Sequence, residues 1–504
     1  MQDISIKKLY AIVFLTGAIV MILELIGSRI LAPTLGTSIF IWTSLIGIIL
    51  GALSLGYYFG GHLADKNPNI KIFSSLIFFA GIFVFFIIVA KSYVLEISFL
   101  LGMKNGAVFS SIILFAIPAF FLGTVSPYAA RLSMKKVEDS GKTIGNLYAV
   151  STFGSIIGTF LTGFYLIPNF GSTNILYTIA IVLLLISLFI YHKKEKTVML
   201  ILAVIFIFGF SIISRAFNQE KYLVDEDSLY GHIRIYDTER IDGKTIRIMA
   251  VENFLDSGMI LGSEELAFEY TRYYRLDNAF KKDVKKVVLF GGAAYSVAKD
   301  FLLRNTEGEI DVVEIDPKTT QFAEEYFNLD VENERLNIYH EDARMFLNNA
   351  SRNNTDKYDV VYNDAFSSNC SAPFHLTTRE AVEKIYNILD DDGVYIMNVI
   401  SAISGEKSEF FRAEYKTISE KFENVFVFSI GEAFLVNSGL VQNIIVVATK
   451  GDVEINDIIE NNRDEETRNL LDHYWKYKIE VEDIETLTDD YAPVDYYASK
   501  LCIF

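Results

Sequence analysis

Cysteine is nearly absent: Cys370 and Cys502 are the only two in 504 residues. That excludes a disulfide framework and a cysteine-based metal site. Histidine is scarce as well, and the six present show no ligand spacing, so no metal is expected. Basic residues run short in the second part of the chain. Residues 216–504 hold 30 Lys and Arg against 56 Asp and Glu, whereas residues 1–215 hold 15 against 7. An acidic region of this kind argues against nucleic-acid binding, because phosphate contacts need a basic face. It suits a cationic partner or simply a solvated surface.

What residues 1–215 lack is polarity. Apolar runs of about 20 residues are long enough to cross a bilayer, and they fall near 9–31, 39–61, 72–90, 108–130, 146–168, 173–191 and 197–214. A cleaved signal peptide is a poor reading of the first run, because so many spans follow it. The expectation is a multi-pass membrane domain over 1–215 of about seven helices, with the lipid bilayer as a partner and the cell membrane as its location. Gly47 and Gly51, Gly56 and Gly60, and Gly154 and Gly158 recur four apart, a spacing that lets helices approach closely. Glu24 and Arg29 lie at the far end of the first span, as a substrate or ion contact or as a structural pair or anchor. Lysines and arginines cluster on alternate loops and place the N-terminus in the cytoplasm. Seven spans would then put the acidic domain outside, unless the last run does not cross or the short run 93–103 does; the side of the soluble domain stays open.

The composition changes from about residue 216. GHIRIYDT and TIRIMAV alternate apolar and polar residues around Asp242-Gly243, a two-residue hairpin signal. Leu266, Phe268, Tyr270, Tyr273 and Tyr274 give Glu264–Phe280 a helical spacing. Residues 216–280 therefore read as a small β-hairpin unit and a helix. Residues 281–504 read as an α/β Rossmann-like domain, in which strands and helices alternate in a parallel-rich sheet.

The stretch 287–368 carries the chemistry. VVLF is a buried strand, and Gly291-Gly292 turn it into a helix over 297–303, where glycines let backbone amides approach a ligand. IDVVEIDP is a second strand ending in Glu314 and Asp316, at the distance from the glycine turn that suits hydrogen bonds to ribose hydroxyls. A third strand leads to Asp342 and a fourth to Asp364. Acids at strand ends suit a nucleotide site, although each also suits a helix cap or turn. Leu376–Leu389 reads as a helix, GVYIMNVI as a fifth strand, 408–422 as a helix, and VFVFSI and QNIIVVAT as late strands.

The pieces VVEIDP, HEDARMF, YDVVYNDAFSS and PFHLTTREAVEKIYNILDDDGVYIMNV resemble the spermidine/spermine synthase family of aminopropyltransferases, whose core is methyltransferase-like. TDDYAPVDYY, LELIGSRILAPTLGTS and GGHLAD resemble the subgroup in which this domain is fused behind an N-terminal multi-pass membrane domain. The resemblance implies transfer of an aminopropyl group from decarboxylated S-adenosylmethionine to a small-molecule amine such as putrescine, and it allows a homodimer. It makes Asp364 the base that takes the amine's proton, Glu314 the ribose ligand and Asp342 the adenine contact. It makes Gly291 and Gly292 the start of the glycine loop.

The chain also departs from the family pattern. Ala294 stands where a loop aspartate is usual, and Ser367 where a second acid follows the base. Asp256 and Phe268-Glu269-Tyr270 stand around the amine end; Asp256, Glu264, Glu265 and Glu269 could supply carboxylates there, though surface acids are commoner. Two other functions follow from these departures. One is a transferase using S-adenosylmethionine itself or a related nucleoside. The other is a non-catalytic polyamine or nucleoside sensor or transporter.

Overall fold

The computed structural model describes residues 4–134, 140–191, 198, 209, 221–252, 254–353, 357–365, 373–430 and 439–501, the side chains of 254–256 and 353 excepted. Two compact units divide within residues 221–233.

The first unit is helical. Among the described residues, six helices are long and apolar enough to cross a membrane: α1 (Ile6–Leu35), α2 (Ile39–Lys66), α3 (Ile70–Leu100), α4 (Gly102–Ser133), α5 (Ser140–Asn169) and α6 (Ser172–Ile190). The run 93–103 is not a span of its own. It is the end of α3 and the start of α4, which meet at Gly102 in the left-handed region (φ 74°). The expected seventh span lies outside the described residues. Two of the three glycine pairs close helix contacts. A β-carbon on Gly154 or Gly158 would overlap the carbonyls of Phe14 or Ala18, and one on Gly56 or Gly60 would overlap the backbone of Phe120 or Thr124. Gly47 and Gly51 have nothing described within 4 Å. Glu24 and Arg29 do not pair: the Arg29 guanidinium donates instead to the Ser228 carbonyl.

The second unit carries the chemistry. Strands β1 (Val224–Asp227), β2 (His232–Glu239), β3 (Thr245–Val251) and β4 (Phe254–Ile260) form one sheet in that order, with β2–β3 and β3–β4 antiparallel. The β2–β3 turn is longer than two residues. Glu239 pairs with Thr245, and Arg240–Lys244 form the connection, closed by the Arg240 amide on the Lys244 carbonyl. Residues 264–269 are not helical: Leu266 bridges Met259 at the edge of β4. The helical spacing takes hold only at Tyr270, in a 3₁₀ helix (Tyr270–Leu276) running into one α-turn (Asp277–Phe280). The pull of an open strand edge on Leu266 outweighs its helical spacing.

The main sheet has seven strands: β5 (Lys286–Phe290), β6 (Glu309–Val313), β7 (Leu336–Tyr339), β8 (Tyr358–Asn363), β9 (Leu389–Ser401), β10 (Asn424–Ser429) and β11 (Gln442–Thr449), in the order β10-β11-β9-β8-β5-β6-β7. Helices α7 (Ser296–Arg304), α8 (Pro317–Phe327), α9 (Ala343–Asn353), α10 (Arg379–Ile388) and α11 (Glu409–Ser419) alternate with them. β7, β6, β5, β8 and β9 are parallel; β10 and β11 are antiparallel to their neighbours. The β5 strand is buried on both faces, with Val288 and Phe290 in one core and Val287 and Leu289 in the other, as the two-residue side-chain period requires. The chain winds from β5 out to β7 and then returns to the other side of β5 as β8. That reversal opens a crevice beyond the carboxyl ends of β5 and β8, where ligands bind in sheets of this kind. The fold is a Rossmann-like, methyltransferase-like domain behind an apolar helical region.

Candidate active site

The crevice is walled by the turn after β5 and the first residue after β8. Gly291 is left-handed (φ 91°), and a β-carbon there would lie 2.6 Å from the Asp364 backbone oxygen. The Asp364 amide in turn donates to the Phe290 carbonyl at 2.9 Å. Two residues distant in sequence are thus locked backbone to backbone. Ala293 (φ 45°) and Tyr295 (φ 56°) are also left-handed, unusual for residues with side chains.

The glycine-turn amides do not point to an open site. Gly292 N and Ala293 N donate to Glu314 Oε2 at 2.8 and 3.1 Å, and Asp316 N donates to Oε1 at 2.9 Å. Burial pushes the Glu314 carboxyl up, opposed by these three N–H donors. Glu314 therefore braces the turn from below, with one lone pair on Oε1 left for a ligand.

Asp364 is held by donors from several elements. Asn398 Nδ2 donates to its Oδ1 at 3.0 Å, and the Tyr270 hydroxyl lies 3.3 Å from its Oδ2. The Tyr274 hydroxyl donates to the Asn363 carbonyl at 3.2 Å and lies beside the Asp364 carboxyl. Burial raises the Asp364 carboxyl above its ordinary value, and the Asn398, Tyr270 and Tyr274 donors pull it back. The same enclosure pushes the Tyr274 phenol well up, which keeps it a donor. A half-buried carboxylate with a raised pKa and a fixed orientation is suited to accept a proton.

The other acids have structural partners. Asp316 caps α8, accepting from Lys318 N at 3.0 Å. Asp342 caps α9, accepting from Arg344 N and Met345 N at 2.9 and 3.1 Å, while His375 Nε2 approaches its other oxygen at 3.1 Å. A cap uses one oxygen of Asp342 and leaves the half-exposed carboxylate able to serve a ligand as well. Glu269 is exposed at the start of the Tyr270–Leu276 turn. Ser367 and the side chain of Asp256 lie outside the described residues. Ala294 turns away from the crevice: its methyl group is fully buried among Ile233, Ile235, Met249, Phe322 and Phe327. An aspartate at this position would be driven into an apolar core.

Tyr270, Tyr274 and Asn398 are site residues that sequence reasoning missed. The tyrosines are hidden in an amphipathic pattern that explains them as packing. Asn398 leaves a legible signal, a lone amide in the otherwise apolar strand GVYIMNVI, because a buried amide needs partners. TDDYAPVDYY has a structural use. Asp489 accepts from the Thr378 hydroxyl at 2.7 Å and from Arg344 at 2.6 Å, tying the starts of α9 and α10 together.

Comparison with known proteins meets this geometry at the same residues: the family described as the spermine/spermidine synthase domain matches over 275–445. The chain is similar to the polyamine aminopropyltransferase of Lachnospira eligens, 28% identical over 207 residues, covering 40% of this chain and 68% of that protein. It is 27% identical over 161 residues to that of Vibrio vulnificus, spanning 52% of that protein. Similarity to polyamine aminopropyltransferase 2 of Aquifex aeolicus is 22% but extends over 81% of this chain and 82% of the relative, helical region included. Among solved structures, a probable spermidine synthase from Corynebacterium glutamicum superposes with a TM-score of 0.39 at 21% identity, over 45% of this chain and 83% of that one. Gly291, Glu314, Asp342, Asp364 and Asn398 fall inside the matched range; Tyr270 and Tyr274 lie just before it.

Proposed function

We propose that the spermine/spermidine synthase domain transfers an aminopropyl group from decarboxylated S-adenosylmethionine to a primary amine such as putrescine, and that the apolar helices hold it at a membrane. The neutral amine nitrogen attacks the carbon beside the sulfonium. The new N–C bond forms as the C–S bond breaks, the sulfur keeps the electron pair, and methylthioadenosine leaves. The ammonium that results gives its extra proton to Asp364. The observation that carries this reading is the enclosure of Asp364 by Tyr270, Tyr274 and Asn398 at the mouth of the glycine turn. A positioned base contributes roughly 10²–10⁴-fold. Asn398 Oδ1 is buried with no partner among the described residues, an acceptor beside the base that an amine N–H would satisfy. Glu314 and Asp342 supply acceptors for the ribose and adenine of the nucleoside, and Gly291 and Gly292 shape the turn between them. The test is methylthioadenosine release from putrescine and decarboxylated S-adenosylmethionine by the full chain; no release over a range of amines overturns the reading.

A second reading rests on Ala294. With its methyl group in an apolar core, the loop offers no carboxylate at that position to the aminopropyl ammonium, and selection for the decarboxylated nucleoside is weakened. A transferase acting on S-adenosylmethionine itself would follow. Calorimetry with the two nucleosides separates these readings by which binds more tightly.

A further inference from the structure

A cavity of about 270 Å³ lies beside α7. It runs between the end of β4, α7 and the segment that follows α8, down to Leu336, the first residue of β7. Leu336 is at the opposite end of the parallel strands from the crevice. None of Glu314, Asp342, Asp364, Tyr270, Tyr274 and Asn398 lines this cavity. Glu264 and Glu265, which the sequence offered to the amine end of the active site, line it instead and are exposed at its rim. Its floor is apolar: Leu266, Leu302, Leu329 and Leu336 are buried there.

A lysine shares this apolar lining. Lys299, on α7, is partly buried and lines the cavity. Its amine donates to the Phe327 carbonyl at the end of α8. An ammonium has three donors, so two remain for a ligand. Burial pushes this amine down to about 8, and no acid raises it back. An opposite charge counters such a shift within roughly 4–6 Å, so the acids of the lining stand further off than that. Two of them are engaged elsewhere: Asp300 pairs with Arg275 and Arg304, and Glu265 with Lys244. Arg335, the other cation of the lining, is committed to the carbonyls of Leu302, Asn305 and Gly308. The result is a positive amine inside and two exposed acids, Glu264 and Asp330, at the rim.

We propose that this cavity binds an ω-amino carboxylate: the carboxylate pairs with Lys299, the methylene chain lies on the four leucines, and the ammonium meets Glu264 and Asp330 at the rim. The separation of the protein's charges selects the class. An α-amino acid carries its own two charges side by side and cannot reach both ends. A diamine of the same length brings a second positive charge against Lys299. The site is separate from the Asp364 crevice and does not depend on transfer activity there.

Calorimetry with 6-aminohexanoate tests this on the full chain in detergent micelles. A carboxylate at Lys299 favours the protonated amine. Binding at about pH 8 should therefore take up about half a proton from the buffer, read from how the heat depends on buffer ionisation. At about pH 6, where the amine is already charged, the uptake should vanish. Lys299→Gln should weaken binding at least about tenfold and abolish the uptake. Lys299→Arg should keep binding and lose the uptake, because a guanidinium does not titrate in this range. Hexanoate, which lacks the ammonium, should bind about two- to fivefold more weakly, and 1,6-diaminohexane should not compete. No binding of 6-aminohexanoate, binding without uptake, uptake that persists in Lys299→Gln, hexanoate binding as tightly, or competition by the diamine overturns the proposal. The wild-type arms decide it even if the variants fail to fold.

Discussion

Gly291 and Asp364 are locked together: a β-carbon on the glycine would sit 2.6 Å from the Asp364 backbone oxygen, and the glycine is left-handed as well. Gly291→Ala should therefore fail twice, by strain and by displacing the acid. We expect destabilisation of about 1–3 kcal/mol and loss of most methylthioadenosine release. Thermal melting and single-turnover assays read the two effects; a variant with normal melting and normal release would show that the contact does not matter.

Asp364→Asn should separate stability from function. The acid's folded pKa is raised by burial, so the folded state binds its proton more tightly than the unfolded state does. Its ionised form then opposes folding, and stability falls as pH rises through the carboxylate range. The amide removes that penalty. Release should drop roughly 10²–10⁴-fold while the neutral-pH melting temperature holds or rises. A fall in both would point to misfolding instead.

Tyr270→Phe should move the acid limb of the pH–rate profile. The Tyr270 hydroxyl stabilises the ionised Asp364, so its loss raises the pKa further, and activity should fail at a higher pH than in the wild type. A profile of kcat/KM against pH checks this, and an unshifted limb would remove Tyr270 from the site.

Asp316 and Asp342 both cap helices, and only the second is proposed to touch the nucleoside. Removing either cap should cost about 0.5–2 kcal/mol. Asp342→Ala should in addition raise KM for the nucleoside, and Asp316→Ala should leave it unchanged. Equal effects on KM would mean that both acids act only as caps, or both as ligands.

Glu414, on α11, is buried with one carboxyl oxygen unpartnered among the described residues, and its pKa is pushed well above the usual range by burial. A raised acid opposes folding once the pH exceeds its unfolded value, and the penalty grows up to the folded pKa. Glu414→Gln should stabilise the chain at neutral pH and flatten the dependence of melting temperature on pH between acid and neutral. A destabilised variant would reveal a partner for the carboxylate.

Pattern alone determined much of this protein. Long apolar runs have few alternatives to membrane helices, and a strand such as VVLF, apolar at every position, has to be covered on both faces. The spacing from Gly292 to Glu314 likewise brought those two residues together, since it spans one strand–helix–strand unit. Other features were decided only by tertiary structure. Tyr270 and Tyr274 look like core in a helical pattern, and nothing local says that their hydroxyls meet an acid some ninety residues away. The β10–β11 pair runs antiparallel because pairing direction depends on which neighbour is free, not on the residues of either strand. Ala294 read as a lost carboxylate, and the fold shows its methyl group committed to packing between the first sheet and α8. Asp342 carried two readings in the sequence, cap and ligand, and one half-exposed carboxylate has room for both. Local pattern records which residues must be covered; which polar groups meet inside that cover is set by the crossing of β5 and β8, which no short stretch encodes.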